Sequence, residues 1–121
     1  MAKILIVDDS RTSRKILREV LEEAGHEIVG EAANGEEGII MYKELKPDAV
    51  TMDITMPVMN GLDALAIIKK EDENARVIMI TAAGQKEKIV RAIKIGADDF
   101  IPKPYETEQV IDTLKRVLGE E

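Results

Sequence analysis

The sequence predicts an α/β fold: a doubly wound, five-stranded parallel sheet with helices on both faces. Three observations point there. Short apolar runs alternate five times with longer stretches of helical spacing, the order that builds a parallel sheet through helical crossovers. The runs are near-continuously apolar, as strands buried on both faces are, rather than alternating apolar with polar. At 121 residues, 45% hydrophobic and 34% charged, the chain can bury a core around such a sheet without cross-links.

The first run, Ile4 to Val7, stops at Asp8-Asp9-Ser10. Ile16, Leu17, Val20, Leu21 and Ala24 then recur as one helical face, and Gly25 is a natural stop. Ile28-Val29 is a short second strand. Asn34-Gly35-Glu36-Glu37 reads as a helix start, Asn34 capping with Glu37 three residues on. Ile39, Ile40 and Leu45 give this helix its apolar side, and Lys46-Pro47 ends it. Ala49 to Met52 is the third strand, followed by a loop from Asp53 to Gly61 and a helix carrying Leu62, Leu65, Ala66 and Ile68. Val77 to Ile80 is the fourth strand, closing at Thr81-Ala82-Ala83-Gly84; Ile89, Val90 and Ile93 mark its helix, which Gly96 ends. Phe100-Ile101 is the fifth strand and Lys103-Pro104 a turn. Val110, Ile111, Leu114, Val117 and Leu118 line a last amphipathic helix. No linker or low-complexity tract divides the chain, so residues 1–121 are expected to form one domain.

The formal net charge is −7 and the sequence pI about 4.8, which disfavours general nucleic-acid or anionic-membrane partners, since both call for a basic face. Without cysteine there is no disulfide framework, thiol catalysis or thiolate metal site. No segment has the apolar length of a membrane span, and Met1-Ala2-Lys3 runs too quickly into an acidic turn for a signal peptide. A cytoplasmic protein is expected.

Ligands of doubly wound sheets bind beyond the carboxyl ends of the strands. Asp8 and Asp9, Asp53, Thr81 and Lys103 follow four of those ends and should crowd one rim. Clustered carboxylates raise one another's pKa unless a cation offsets the charge. Mg²⁺ suits a few carboxylates, a carbonyl and water; with His26 far away in sequence, zinc or copper does not fit. Lys103 adds a cation and Thr81 a hydroxyl, enough to hold phosphoryl oxygens, because phosphoryl transfer is mainly positioning and charge neutralisation. Asp53, alone at the end of the middle strand, is the best nucleophile, and Asp8 and Asp9 are better placed as metal holders.

Val7-Asp8-Asp9-Ser10, Met52-Asp53-Ile54-Thr55-Met56-Pro57 with Gly61, Ile80-Thr81-Ala82 and Lys103-Pro104, in that order and spacing, resemble the response-regulator receiver family over essentially the whole chain. The resemblance implies the flavodoxin-like strand order 2-1-3-4-5. It implies Asp53 as phosphoacceptor, Asp9, Asp53 and the main-chain carbonyl of Thr55 as Mg²⁺ ligands, and Asp8 acting on the metal through water. It further implies Thr81 as the switch hydroxyl and Lys103 as the phosphate-binding lysine, with a cis bond to Pro104. Phe100 falls where the family has a switch aromatic that turns inward after Thr81 moves, although it lacks the hydroxyl often found there. Pro102 departs from the pattern by removing a backbone donor beside the site. Thr55 and Ala83 flank the site and are expected to tune phosphoryl lifetime. A sensor histidine kinase or phosphotransfer domain is the implied donor. A downstream protein effector, in chemotaxis the flagellar switch, is the implied reader of the state. The chain is expected to act as a stand-alone regulator, not an enzyme with external substrates; a phosphorelay intermediate or a receiver cut from a larger regulator is the alternative.

Read one at a time, these residues have plainer roles. Asp8-Asp9 reads equally as a strand end and helix N-cap, Thr81 as a loop hydroxyl, Lys103 as a solvated charge and Phe100 as core. Met52, Met56, Met59 and Met79 read as packing residues. His26 and Glu22-Glu23 read as solvated surface, and Lys86, Lys88, Arg91 and Lys94 as the solvated face of a helix, with a partner-docking surface as the alternative. Three other functions compete. A haloacid-dehalogenase-type phosphatase lacks its second Asp here, because Asp53 is followed by Ile54-Thr55. A flavin binder would want an aromatic sandwich, and the chain has no Trp. A pseudo-receiver normally lacks acids that this chain retains.

Overall fold

The computed structural model describes residues 2–119; Met1, which opens the N-terminal stretch read above, lies outside them. Five strands and five helices alternate: β1 Lys3–Val7, α1 Arg11–Glu23, β2 Glu27–Ala32, α2 Gly35–Leu45, β3 Ala49–Asp53, α3 Gly61–Glu71, β4 Val77–Thr81, α4 Lys86–Ile95, β5 Asp99–Pro102 and α5 Thr107–Leu118. All pairings are parallel and the order is β2-β1-β3-β4-β5, as expected. Side chains alternate across the strands, so the two faces carry separate cores. Leu5, Val7, Val50, Met52 and Met79 pack with α2, α3 and Ala92 of α4, whereas Ile4, Ile6, Ile78, Ile80 and Ile101 pack with α1 and α5.

The helix starts follow capping chemistry. Ser10, not an aspartate, caps α1 by accepting from the Ser13 N–H at 3.2 Å. Asn34 accepts from the Glu37 N–H at 2.9 Å while Glu37 reaches back to the Ala33 N–H, a reciprocal cap. Lys46 closes α2 in the left-handed region at φ 45°, directly before Pro47.

Several apolar residues lie elsewhere than their spacing suggests. Ile40 is 52% and Leu45 38% exposed; α2 instead buries Gly35, Gly38 and Ile39. A Cβ on Gly38 would stand 3.1 Å from Val7, so small residues bring the helix close to the sheet, a packing side that apolar periodicity overlooks. In α3, Ala64 is buried and Ala66 exposed. In α4, Val90 and Ile93 are exposed and Ala92 is the buried residue. β2 runs to six residues because Gly30-Glu31-Ala32 pairs past a register shift at a sheet edge, where an apolar run is not needed. His26 is buried, its Nδ1 accepting the Ala2 N–H at 3.2 Å, and is not surface. Met52, Met56 and Met79 are core residues and Met59 packs against them.

Candidate functional site

Asp8, Asp53 and Lys103 reach the rim because each continues a strand past its last apolar residue. Strand alternation gives all three the parity of the α1/α5 face, whereas Thr81 has the parity of the α4 face. Asp8, Asp53 and Lys103 thus share one side of the rim, and Thr81 has the parity of the other. One carboxylate oxygen from each of Asp8, Asp9 and Asp53 lies within 4.8 Å of the others. Asp8 is buried; its Oδ1 accepts the Ser10 N–H at 2.8 Å and its Oδ2 accepts from Lys103 Nζ at 3.1 Å. Asp53 Oδ1 accepts the Ile54 N–H at 2.9 Å.

Burial first, then the Asp8 charge, pushes the Asp53 carboxyl up to about 6; Lys103 and the Ile54 N–H oppose this without cancelling it. Three acids packed this way, with one lysine, form a donor set short of positive charge. Hard oxygen donors of this kind fit Mg²⁺.

Thr81 is 1% exposed, and its Oγ1 has no hydrogen-bond partner among the described residues. A buried hydroxyl left unpaired costs about 1–3 kcal/mol, so this atom is in want of an acceptor. Phe100 pairs with Met79, two residues before Thr81, and so shares the α4 face with it. At 38% exposed it is not plain core. The Lys103–Pro104 bond is cis. Pro102 lies on the edge strand. Because the Lys103 N–H donates inward to the Thr81 carbonyl at 2.7 Å, alternation turns the Pro102 nitrogen to the outer edge, and its missing donor takes nothing from the ladder.

Two further features complete this rim: Gly61, which belongs to the second motif, and Gln85, which belongs to none. Gly61 lies so close to Asp53 that a Cβ there would stand 2.0 Å from the Asp53 carbonyl oxygen, and its N–H donates to the Ile54 carbonyl at 2.7 Å. Gln85 accepts the Ala82 N–H at 2.6 Å and donates to Thr55 Oγ1 at 3.0 Å, tying the β4–α4 loop to the β3–α3 loop. Only a fold that brings the two loops together reveals such a bridge. Beside it opens a cleft of about 220 Å³ lined by Thr55, Asn60, Lys88 and Arg91. The four α4 cations Lys86, Lys88, Arg91 and Lys94 are all exposed.

No helix among the described residues is long and apolar enough to cross a membrane. Residues 4–115 match the family model of the response regulator receiver domain. The chain is 50% identical to the chemotaxis protein CheY of Thermotoga maritima over 115 residues, 95% of this chain and 96% of that protein. It is 46% identical to CheY of Bacillus subtilis over 117 residues, 97% and 98% of the two chains. Among solved structures, a CheX–CheY–BeF₃–Mg²⁺ complex from Borrelia burgdorferi matches with TM-score 0.91 and 41% identity, covering 95% of this chain and 87% of that one. With motifs, strand order, family model and relatives in agreement over nearly its whole length, the chain belongs to the response regulator receiver domain family.

Proposed function

We propose that residues 1–121 form one receiver domain that takes a phosphoryl group on Asp53 from a sensor histidine kinase or phosphotransfer domain. The observation that carries this reading is the convergence of Asp8, Asp9 and Asp53 within 4.8 Å, with Lys103 bonded to Asp8. Asp8, Asp9, Asp53 and the Thr55 carbonyl would hold Mg²⁺. When bound, the cation supplies charge neutralisation for the carboxylates and for the phosphoryl oxygens.

An Asp53 carboxylate oxygen attacks phosphorus; the bond from phosphorus to the donor imidazole nitrogen breaks, and that nitrogen keeps the electron pair. Lys103 holds one phosphoryl oxygen. Thr81 gives its unpaired hydroxyl to another, which draws the β4–α4 loop inward. Water later hydrolyses the acyl phosphate, returning carboxylate and inorganic phosphate. The chain promotes both steps on itself and turns over no external substrate.

Movement of Thr81 is read out at Phe100, which shares its face, and along α4, where Val90 and Ile93 are exposed. A protein effector that prefers the phosphorylated arrangement shifts the population toward it. Relatives that are chemotaxis proteins favour a chemotaxis effector; we take it to be the flagellar switch and the setting to be cytoplasmic. The net charge of −7 argues against nucleic acid and membrane as partners.

Incubation with acetyl phosphate, with and without Mg²⁺, tests the chemistry by intact mass. A single phosphoryl adduct is expected in wild type with Mg²⁺ and none in Asp53→Asn. An adduct that survives that substitution would remove Asp53 from its role.

A further inference from the structure

We propose that the Gln85 side chain is a built-in stand-in for the phosphoryl group, occupying the Ala82 N–H until a phosphoryl oxygen displaces it. This rests on the phosphoacceptor reading of Asp53 and adds a residue to it. The direction of that N–H follows from covalent geometry. The Thr81 carbonyl points toward β5, where it accepts the Lys103 N–H at 2.7 Å. In a trans peptide the next N–H points the opposite way, so the Ala82 N–H faces β3, whose last residue is Asp53. A group accepting from it there lies over the phosphoacceptor's end of the sheet.

Gln85 Oε1 now fills that place at 2.6 Å. The carboxamide orientation is fixed by its partners: an N–H only donates, so the atom facing Ala82 is the oxygen, and Nε2 is left to reach Thr55 Oγ1 at 3.0 Å. Meanwhile α4 has no capping side chain, although Gln85 stands at its N-cap position. The residue at the head of α4 thus serves the neighbouring loop instead of its own helix.

Displacement has a mechanical result. A phosphoryl oxygen on the Ala82 N–H leaves Gln85 Oε1 without its partner, the bridge to Thr55 loses its anchor, and the start of α4 is freed from the β3–α3 loop. This adds a second link from Asp53 to α4, independent of the Thr81 hydroxyl.

The test is a titration of ¹⁵N-labelled full chain with Mg²⁺ and beryllofluoride, comparing wild type, Gln85→Ala and Gln85→Glu, after amide exchange at Ala82 has been measured without additions. Ala82 exchange should speed up in Gln85→Ala. Beryllofluoride affinity should rise roughly two- to tenfold there, since one net hydrogen bond no longer has to be displaced. Gln85→Glu keeps the acceptor and adds a like charge, so its affinity should fall below wild type. A residue that merely supports the loop would weaken binding in both variants. Unchanged Ala82 exchange, or equal or weaker binding by Gln85→Ala, overturns the stand-in role. If wild type takes up no beryllofluoride at all, the phosphoacceptor reading fails instead, a result distinct from equal affinities.

Discussion

Helices α3 and α4 lie on the same face of the sheet and have nearly equal length, 11 and 10 residues, yet they are secured very differently. α3 buries Gly61, Leu62, Ala64, Leu65 and Ile68, and Asn60 caps it by accepting the Asp63 N–H at 2.9 Å. α4 buries Ala92 alone, has no side-chain cap, and opens on Lys86-Glu87-Lys88, where one acid favourable to the helix dipole is outnumbered by two cations. Its Val90 and Ile93 face outward, as does Phe100 of the adjoining strand. The loop entering α3 packs Gly61 backbone against the Asp53 carbonyl, while among the described residues the loop entering α4 is tied to its neighbour through the Gln85 side chain. Rigidity is concentrated where the proposed chemistry needs a fixed nucleophile, and is thin where a conformational readout needs a low barrier.

The comparison breaks most visibly at Gly61. A methyl group at this position collides with the Asp53 carbonyl, and backbone on both sides cannot yield as a flexible side chain could. Gly61→Ala should therefore destabilise the fold by about 3 kcal/mol or more. Ala92→Gly in α4, which mainly loses helix propensity and one methyl contact, should lose about 1–2 kcal/mol. Urea denaturation of both variants measures the contrast. A Gly61→Ala loss no larger than that of Ala92→Gly would mean that the β3–α3 loop is not the rigid half.

That contrast also marks where the sequence is readable. Asp8, Asp53 and Lys103 could be placed on one rim because a strand end fixes where the next residue goes, and parallel order stacks the ends. The buried side of α3 was mostly legible, since its Leu and Ile residues mark it. Periodicity, however, tells which side chains are apolar and not which face is covered. Val90 and Ile93 therefore mark a helix while facing outward, and Ile40 and Leu45 read as the apolar side of a helix that packs through Gly35, Gly38 and Ile39. Gln85 was invisible because its partners, Ala82 and Thr55, include one 30 residues away. His26 reads as surface because nothing local announces the Ala2 N–H that makes its burial tolerable.

Native-state amide exchange sharpens the comparison without a mutation. With fewer buried contacts and no cap, α4 should open at a free energy about 2 kcal/mol below that of α3, so that its slowest amides exchange roughly thirtyfold faster. The slowest α3 amides, in the turn carrying Leu65 and Ile68, should approach the global stability. Equal protection in the two helices would show that burial and capping do not set their mobility, and would leave α4 no better suited than α3 to report on the site.

The smallest effect separates the strain of the acidic rim from the rigidity of the loop beneath it. Asp53 has a folded-state pKa of about 6 against an ordinary value of 3.8, so the folded chain holds that proton more tightly than the unfolded chain does. Its contribution favours folding at low pH and is lost as pH rises from about 4 through about 6, after which it is level. The shift sets a ceiling near 3 kcal/mol, and solvent screening of a partly exposed group brings the expected figure to on the order of 1 kcal/mol. Asp53→Asn should accordingly be the more stable protein at pH 7, by about that amount, and should lose the stability slope between pH 4 and 6. Millimolar Mg²⁺ should raise the melting temperature of wild type and narrow the gap, because a cation that binds only the folded chain offsets the same repulsion. Melting curves across this pH range, with and without Mg²⁺, test both statements. If Asp53→Asn proved less stable than wild type at pH 7, the carboxylate would be a structural anchor of the β3–α3 loop, and the division between fixed loop and strained rim would collapse.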